Sequence, residues 1–197
     1  MNPSQEAVLE LPSFVKFDDK GGEAKVAKLT LPTCCEEAFK VVLDEVAKIG
    51  DEPFAIVLSG LADSRDKICL ERFALNVQQY RMPDNNGHTC DEEHIIVSGP
   101  DALRTKVPLK ELSVVLDNAG FACDISNHAG SYVCNETYYR CMHRWQNDPR
   151  CRGILFVHVP PYENYKHTNP DHKETRSARE VYTAALQKIA QFISRPL

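Results

Sequence analysis

The sequence predicts an α/β fold in one domain, with a sheet covered by helices on both faces. Segments with strand patterns alternate along the chain with segments of helical periodicity, which is the arrangement of layered α/β folds. Two short runs, 53–59 and 153–159, are almost continuously apolar, as is typical of strands buried on both faces. The 197 residues are 43% hydrophobic and contain no repeat or linker. We therefore expect one domain over residues 1–197.

The first half of the chain alternates helix and strand patterns. Residues 4–11 predict a short helix with Ser4 as its N-cap. Alternating side chains over 24–31 indicate a strand, and apolar residues at helical spacing indicate a helix over 35–49. The buried strand 53–59 follows.

The second half continues the alternation after one irregular stretch. A strand is predicted over 70–77, and the stretch 81–93 is rich in the turn-forming residues Pro, Asn, Asp and Gly. The remaining predicted elements are a helix over 109–119, a strand over 121–125, a helix over 131–145, the strand 153–159 and an amphipathic helix over 174–193.

Charge and composition exclude several classes of partner. The formal net charge is −5, and the Lys and Arg residues are scattered, which argues against nucleic acid or an anionic membrane as a partner. The first residues do not have the pattern of a secretion signal, and no apolar run approaches the roughly 18 residues that cross a bilayer. We expect a soluble, cytoplasmic protein, and the sequence leaves open whether it forms a homo-oligomer.

Eight cysteines are present without any CxxC pair. This pattern argues against a zinc site of the usual spacing, and a disulfide framework is typical of shorter, secreted chains. The pairs His88/His94 and His167/His172 have no convincing partner ligand, so we expect no metal and no cofactor. Most of the cysteines are expected to be small buried hydrophobic residues.

Cys134 is a candidate nucleophile because it lies at the predicted start of a helix that follows a strand. Unpaired N–H groups and the helix dipole at this position favour a thiolate and can hold an oxyanion. Ser131 is expected to cap the helix. A buried, unreactive cysteine is nevertheless the more frequent outcome for a residue of this type.

His158 and Glu71 are candidates for the partners of such a nucleophile. His158 ends an apolar strand, where a base belongs in an α/β sheet, although a lone histidine there is more often a core residue. Glu71 lies near the start of strand 70–77 on its apolar side. From the residues alone, a solvated Glu71 is favoured over one that orients His158.

Two loops carry further candidates. Arg81 precedes the turn signal at 83–87, and its guanidinium either holds a substrate oxygen or is solvated. The small-residue loop 59–65 leaves a buried strand and can bring backbone amides to a substrate, but it fits no phosphate-binding pattern.

Five blocks of the sequence, taken together, resemble the pyroglutamyl peptidase I (pyrrolidone-carboxylate peptidase) family of cysteine peptidases. The resemblance extends over nearly the whole chain. The blocks are NPSQEAV at 2–8, ERFALN at 71–76, RMPDNNG at 81–87, AGSYVCN at 129–135 and LFVHVP at 155–160.

The resemblance implies a mixed, mainly parallel sheet between helices and a triad of Cys134 as nucleophile, His158 as general base and acid, and Glu71 as the residue that orients the histidine. It also implies that Arg81 helps to hold the oxyanion. Four residues fall where the family binds the pyrrolidone ring: Tyr132, Val133, Met82 and Leu61. The implied reaction removes N-terminal pyroglutamyl residues from peptides through a thioester, without metal or cofactor.

The sequence departs from the family's pattern in two places. Members of the family usually have an apolar strand and a Gly/Phe-rich turn before the NPS segment, and here Met1 stands directly before it. An inner strand would then be lacking, leaving unpaired backbone groups and an apolar gap. Leu61, Asp63 and Ser64 replace the family's glutamine and glycines. The alternative is therefore a weak or inactive relative, or a truncated gene product, that acts as a binding or scaffold protein.

Overall fold

The computed structural model describes residues 2–17, 21–166 and 177–195, which contain five α-helices and seven strands. The helices are α1 (Pro3–Leu9), α2 (Glu37–Ala47), α3 (Leu109–Asn118), α4 (Val133–Trp145) and α5 (Ala178–Ile193). The strands are β1 (Phe14–Lys16), β2 (Glu23–Lys25), β3 (Phe54–Leu61), β4 (Ile68–Leu75), β5 (Ala102–Arg104), β6 (Cys123–His128) and β7 (Cys151–Val159). No helix in the described ranges is long and apolar enough to span a bilayer.

The main sheet has five strands and is mixed. β3 and β4 each have a parallel neighbour, β7 and β6 respectively, and these two pairings are the longest in the sheet. β4 pairs antiparallel with β7 and with β5 over only a few residues each. This topology confirms the predicted mixed, mainly parallel sheet. β1 and β2 form a separate antiparallel pair.

Two hydrophobic clusters cover the two faces of the sheet. On one face, α3 and α5 pack against the sheet through residues such as Leu112, Leu186 and Ile189. On the other face, α2 and α4 contribute residues such as Val42 and Trp145. The apolar runs predicted as strands buried on both faces are β3 and β7 because helices cover both sides of them.

The main difference from the predicted elements lies in the segment 24–31. Only Glu23–Lys25 forms a strand, and the following residues are irregular. Residues 26–33 lie along a groove beside β3, where no described strand is close enough to pair with them. An alternating sequence forms a strand only if it has a neighbouring backbone, so the side-chain pattern was insufficient here.

Three helix starts also differ from the prediction. Asn2, and not Ser4, caps α1, since its side chain accepts a hydrogen bond from the Ser4 N–H. α4 begins at Val133 without a side-chain cap, and the hydroxyl of Ser131 instead donates to the carbonyl of Gln79. α5 begins after Ser177 with a capping box. The first predicted residues of that helix, 174–176, lie outside the described residues.

Asn135 fixes the amino end of α4 against β4 and the residues after it. Its Oδ1 accepts a hydrogen bond from the Leu75 N–H (2.9 Å), and its Nδ2 donates to the carbonyls of Leu75 (2.9 Å) and Val77 (3.0 Å). The hydroxyl of Tyr138, one turn further along, donates to the carbonyl of Glu71 (3.1 Å). These bonds determine where the first turn of α4 lies relative to the sheet.

Replacing Asn135 by Ala should lower the free energy of unfolding by about 2–4 kcal/mol, because three backbone groups lose buried partners. Urea denaturation of the two proteins measures the difference. Asn118→Ala, at an exposed helix end, is the control and should change stability by less than about 0.5 kcal/mol. An equal effect of the two substitutions would contradict the anchoring role of Asn135.

Candidate active site

The central feature of the candidate site is a hydrogen-bonded pair between β7 and β4. His158 Nδ1 lies 2.8 Å from Glu71 Oε1. The pairing of His158 with Cys69 across the two strands brings the two side chains together. Glu71 is completely buried and His158 is 6% exposed. The solvated Glu71 that the residues alone favoured is therefore wrong, because β4 is an interior strand at this position.

A buried carboxylate is costly unless charges or hydrogen bonds compensate it. Besides His158, the guanidinium of Arg65 approaches Glu71, with Nη2 3.9 Å from Oε1, and the same nitrogen donates to the hydroxyl of Ser126 (2.9 Å). Glu71 Oε2 has no hydrogen-bond partner among the described residues. Arg65, which the sequence did not single out, thus supplies positive charge behind the pair.

Cys134 is the second residue of α4 and lies against the end of β3. A Cβ atom added to Gly60 would lie 3.1 Å from Cys134 Sγ and 3.0 Å from Cζ of Phe156. The thiol therefore occupies space that only glycine leaves open. Phe156 also packs against the imidazole of His158, with ring centroids 4.7 Å apart. The only sequence signal for Gly60 was its place in the small-residue loop 59–65 after a buried strand.

The surroundings of Cys134 act against ionisation of its thiol. Burial raises its pKa to about 11, and the negative charge of Glu71 adds to the rise. This direction is opposite to the thiolate expected at the helix start, because burial disfavours the charged form. Among the hydrogen bonds of the described residues, none joins Cys134 to His158. Because Nδ1 of His158 contacts Glu71, its Nε2 is the nitrogen left to accept a proton.

The remaining predicted site residues fall into two groups. Leu61, Tyr132 and Val133 line the same groove as Cys134. Arg81 and Met82 are exposed and do not line that groove. Arg81 makes no hydrogen bond or ion pair with the described part of the chain.

A buried carboxylate that sequence reasoning missed connects the Arg81 loop to α4. Glu136 accepts hydrogen bonds from the Tyr80 hydroxyl, from Arg140 Nε (2.8 Å) and from the thiol of Cys35 (3.2 Å). Burial alone would raise the pKa of Glu136, but the hydrogen bonds from Tyr80 and Arg140 hold it below its ordinary value. Tyr80 in turn packs on Tyr132, with ring centroids 4.7 Å apart. The only sequence signal for Glu136 was its place directly after the AGSYVCN block.

No metal centre is found in the part of the chain that the structure describes. There, no group of three or more His, Cys, Asp or Glu side chains is arranged to hold an ion. His167 and His172 lie outside the described residues. All eight cysteines are free.

Comparisons with known proteins agree with the geometry. Residues 1–191 match the family model described as pyroglutamyl peptidase. The pyrrolidone-carboxylate peptidase of Vibrio campbellii is 35% identical over 160 residues, which are 81% of this chain and 71% of that protein. The protein of the same name from Vibrio parahaemolyticus is 31% identical over 193 residues, covering 98% of this chain and 85% of the relative.

A solved structure shares both fold and sequence with the chain. The pyrrolidone carboxyl peptidase of Thermus thermophilus superimposes with a TM-score of 0.77 and 30% identity. The match covers 98% of this chain and 92% of the other.

The raised pKa of Cys134 predicts how its alkylation depends on pH. Well below a pKa of about 11 the thiolate fraction rises about tenfold per pH unit, so labelling by iodoacetamide should accelerate about tenfold for each pH unit, or about 1000-fold between pH 6 and 9. Peptide-resolved mass spectrometry of Cys134 measures the rate. His158→Ala is the control and should show the same slope. A plateau below pH 7 would contradict a protonated thiol and indicate a thiolate–imidazolium pair.

Proposed function

The chain belongs to the pyroglutamyl peptidase family, and from this we propose that it removes N-terminal pyroglutamyl residues from peptides with Cys134 as its nucleophile. It is a cysteine peptidase of the pyroglutamyl peptidase I type. The observation that carries the assignment of residues is the buried His158–Glu71 pair in a site where Gly60 leaves room for the thiol of Cys134.

The proposed reaction has two stages. Sγ of Cys134 attacks the carbonyl carbon of the pyroglutamyl residue while Nε2 of His158 takes the thiol proton, which is needed because the thiol is protonated at rest. The tetrahedral intermediate collapses to a thioester as the same proton passes to the leaving amine. Water, deprotonated by His158, then attacks the thioester and releases pyroglutamate and the free thiol.

Glu71 is proposed to orient the base and stabilise its charged form. Its Oε1 contacts Nδ1, so the neutral imidazole carries its proton on Nδ1 and presents Nε2 as the acceptor. When His158 accepts the proton, the buried carboxylate compensates the new positive charge. Arg65 places a positive guanidinium behind Glu71, with Nη2 3.9 Å from Oε1.

We infer which groups hold the oxyanion and contact the substrate ring from their closeness to Cys134. Backbone N–H groups in the first turn of α4 are free to hold the oxyanion. We propose that Leu61, Tyr132 and Val133, which line the groove beside Cys134, contact the pyrrolidone ring, a small and largely apolar ligand. The roles of Arg81 and Met82 stay predictions from the resemblance. A cytoplasmic location is supported by the eight free cysteines, which suit a reducing compartment.

Purified protein with a reductant should release the fluorophore from a pyroglutamyl-aminomethylcoumarin substrate. Cys134→Ala should abolish turnover because the nucleophile is lost, whereas Cys123→Ala, a substitution in β6, should keep it. Thermal unfolding monitored by circular dichroism checks that both variants fold. Equal activity of Cys134→Ala and wild type would refute the assignment of Cys134 as the nucleophile. A well-folded wild type without turnover would support the inactive binding protein.

Replacing Glu71 by Gln should lower kcat on the order of 10³–10⁴-fold, because the amide can hold the imidazole in the wrong tautomer and cannot compensate its charge. The effect should fall on kcat more than on KM, since Glu71 does not line the groove that contains Cys134. Steady-state kinetics on the same substrate measure both constants. A change confined to KM would contradict the orienting role.

A further inference from the structure

The carboxylate of Glu136 is buried one turn of α4 beyond Tyr132 and has no role in the reaction proposed above. The N–H of Glu136 donates to the carbonyl of Tyr132 (3.1 Å), so the two residues lie on the same side of the helix. Glu136 is only 1% exposed. Burial of a carboxylate is costly unless hydrogen bonds and an opposite charge compensate it, so its partners matter.

The two oxygens of Glu136 have different partners. Oε1 accepts hydrogen bonds from Arg140 Nε (2.8 Å), from the thiol of Cys35 (3.2 Å) and from the backbone N–H of Glu36 (3.3 Å). Oε2 accepts a hydrogen bond from the hydroxyl of Tyr80. Arg140 supplies the opposite charge. The donors come from α4, from the residues before α2 and from the segment after β4, so one carboxylate joins three parts of the chain.

The bond to Glu136 and the surrounding rings hold the side chain of Tyr80 in place. Tyr80 is buried, and its backbone N–H donates to the carbonyl of Cys90 (2.8 Å). Its ring packs edge-on against His88, with centroids 5.8 Å apart, and against Tyr132, with centroids 4.7 Å apart. Burial and the hydrogen bond to Glu136 raise the pKa of Tyr80, so its hydroxyl keeps the proton that it donates.

Tyr80 in turn supports two residues of the proposed substrate site. Tyr132 lines the groove that contains Cys134, and its ring packs against that of Tyr80. The hydroxyl of Tyr132 donates to the carbonyl of Pro83 (3.0 Å), in the same segment as Tyr80. Val133, which also lines the groove, packs in one hydrophobic cluster with Tyr80. The orientation of the Tyr132 ring therefore depends on where Tyr80 lies.

We propose that Glu136 is a positioning residue for substrate binding: acting through Tyr80, it holds the ring of Tyr132 as a wall of the site. This inference rests on the proposed function, because the wall would contact the pyrrolidone ring. Glu136 does not itself line the groove, so it does not touch the substrate. Its Oε2, which accepts a hydrogen bond from Tyr80 alone among the described residues, is the atom that transmits the effect.

Glu136→Gln and Tyr80→Phe each remove the hydrogen bond between these two side chains. Gln has the size of Glu but only one side-chain oxygen, so it cannot accept from Tyr80 while it keeps the three donors of Oε1. Each variant should raise KM for the pyroglutamyl-aminomethylcoumarin substrate about three- to tenfold. The value of kcat should change less than about twofold, because a wall contacts the substrate and the transition state equally.

The double variant and two controls show whether the effect passes through this one bond. KM of the double variant should rise no further than in the single variants, whereas independent effects would multiply to about 10- to 100-fold. Cys35→Ala removes a donor to Oε1 and leaves the bond from Tyr80 to Oε2. Leu116→Ala removes a completely buried side chain of α3, on the other face of the sheet, and lowers stability alone. Both controls should keep KM within about twofold of the wild type.

A second measurement does not require turnover. The whole protein is labelled with fluorotyrosine, and the fluorine NMR resonance of Tyr132 is identified by its loss in Tyr132→Phe. Titration with pyrrolidone, the substrate ring without its peptide, should shift this resonance in the wild type. The dissociation constant obtained from the shift should be about three- to tenfold higher in Glu136→Gln. Circular dichroism checks that each variant is folded.

Four outcomes would overturn the proposal. An unchanged KM and dissociation constant in Glu136→Gln would show that its carboxylate does not affect the wall. Multiplied effects in the double variant would show that Glu136 acts without Tyr80. An equal rise of KM in Leu116→Ala would show that lost stability is sufficient. A wild-type Tyr132 resonance that pyrrolidone does not shift would show that Tyr132 is not a wall of the site.

The two measurements separate this proposal from the proposed function. A folded wild type without turnover would contradict the function. Weaker binding of pyrrolidone in Glu136→Gln than in the wild type would then still support the positioning role, and equal binding would overturn it.

Discussion

The hydrogen bond between His158 and Glu71 places severe demands on the surrounding structure, because it requires a carboxylate and an imidazole inside an apolar sheet. A position between helices on both faces of the sheet excludes the water that would otherwise solvate Glu71. Tyr138 packs above the strand and donates to the backbone of the same residue, and Arg65 supplies compensating charge from the loop after β3. The pair therefore depends on the adjacency of β4 and β7 and on α4 being held in a fixed position.

Cys134 and His158 lie on separate elements, α4 and β7, which come together only in the folded protein. α4 brings Cys134 to the end of β3, and its position is set by the contacts of Asn135 with β4 and by the absence of a side chain at Gly60. Burial raises the pKa of the Cys134 thiol, so the proposed reaction requires His158 to take the thiol proton. The same end of β3 opens onto the groove between β3 and residues 26–33, which Cys134 also lines.

Much of the fold was predictable because its signals are local. The apolar runs that became β3 and β7, the helical periodicity of α2, α3 and α5, and the alternation of strands with helices require only the period of the side chains. The prediction failed where a neighbour decides the structure. Residues 26–31 have a strand pattern but no strand beside them, and Ser131 has the chemistry of an N-cap but donates instead to the Gln79 carbonyl. Glu71, a carboxylate whose solvated form is generally favoured, is buried because its strand is interior.

The sequence by itself determined the fold class and the family and supplied the candidate reactive groups, since these depend on side-chain chemistry and order along the chain. Only the tertiary structure decided that Glu71 meets His158, that Gly60 makes room for the thiol and that burial raises the pKa of Cys134. It also decided that Arg81 and Met82 lie at the surface and that one edge of β3 is open. The physical reason is that burial, distance and unpaired backbone groups are properties of neighbours far apart in the chain, which side-chain periodicity does not encode.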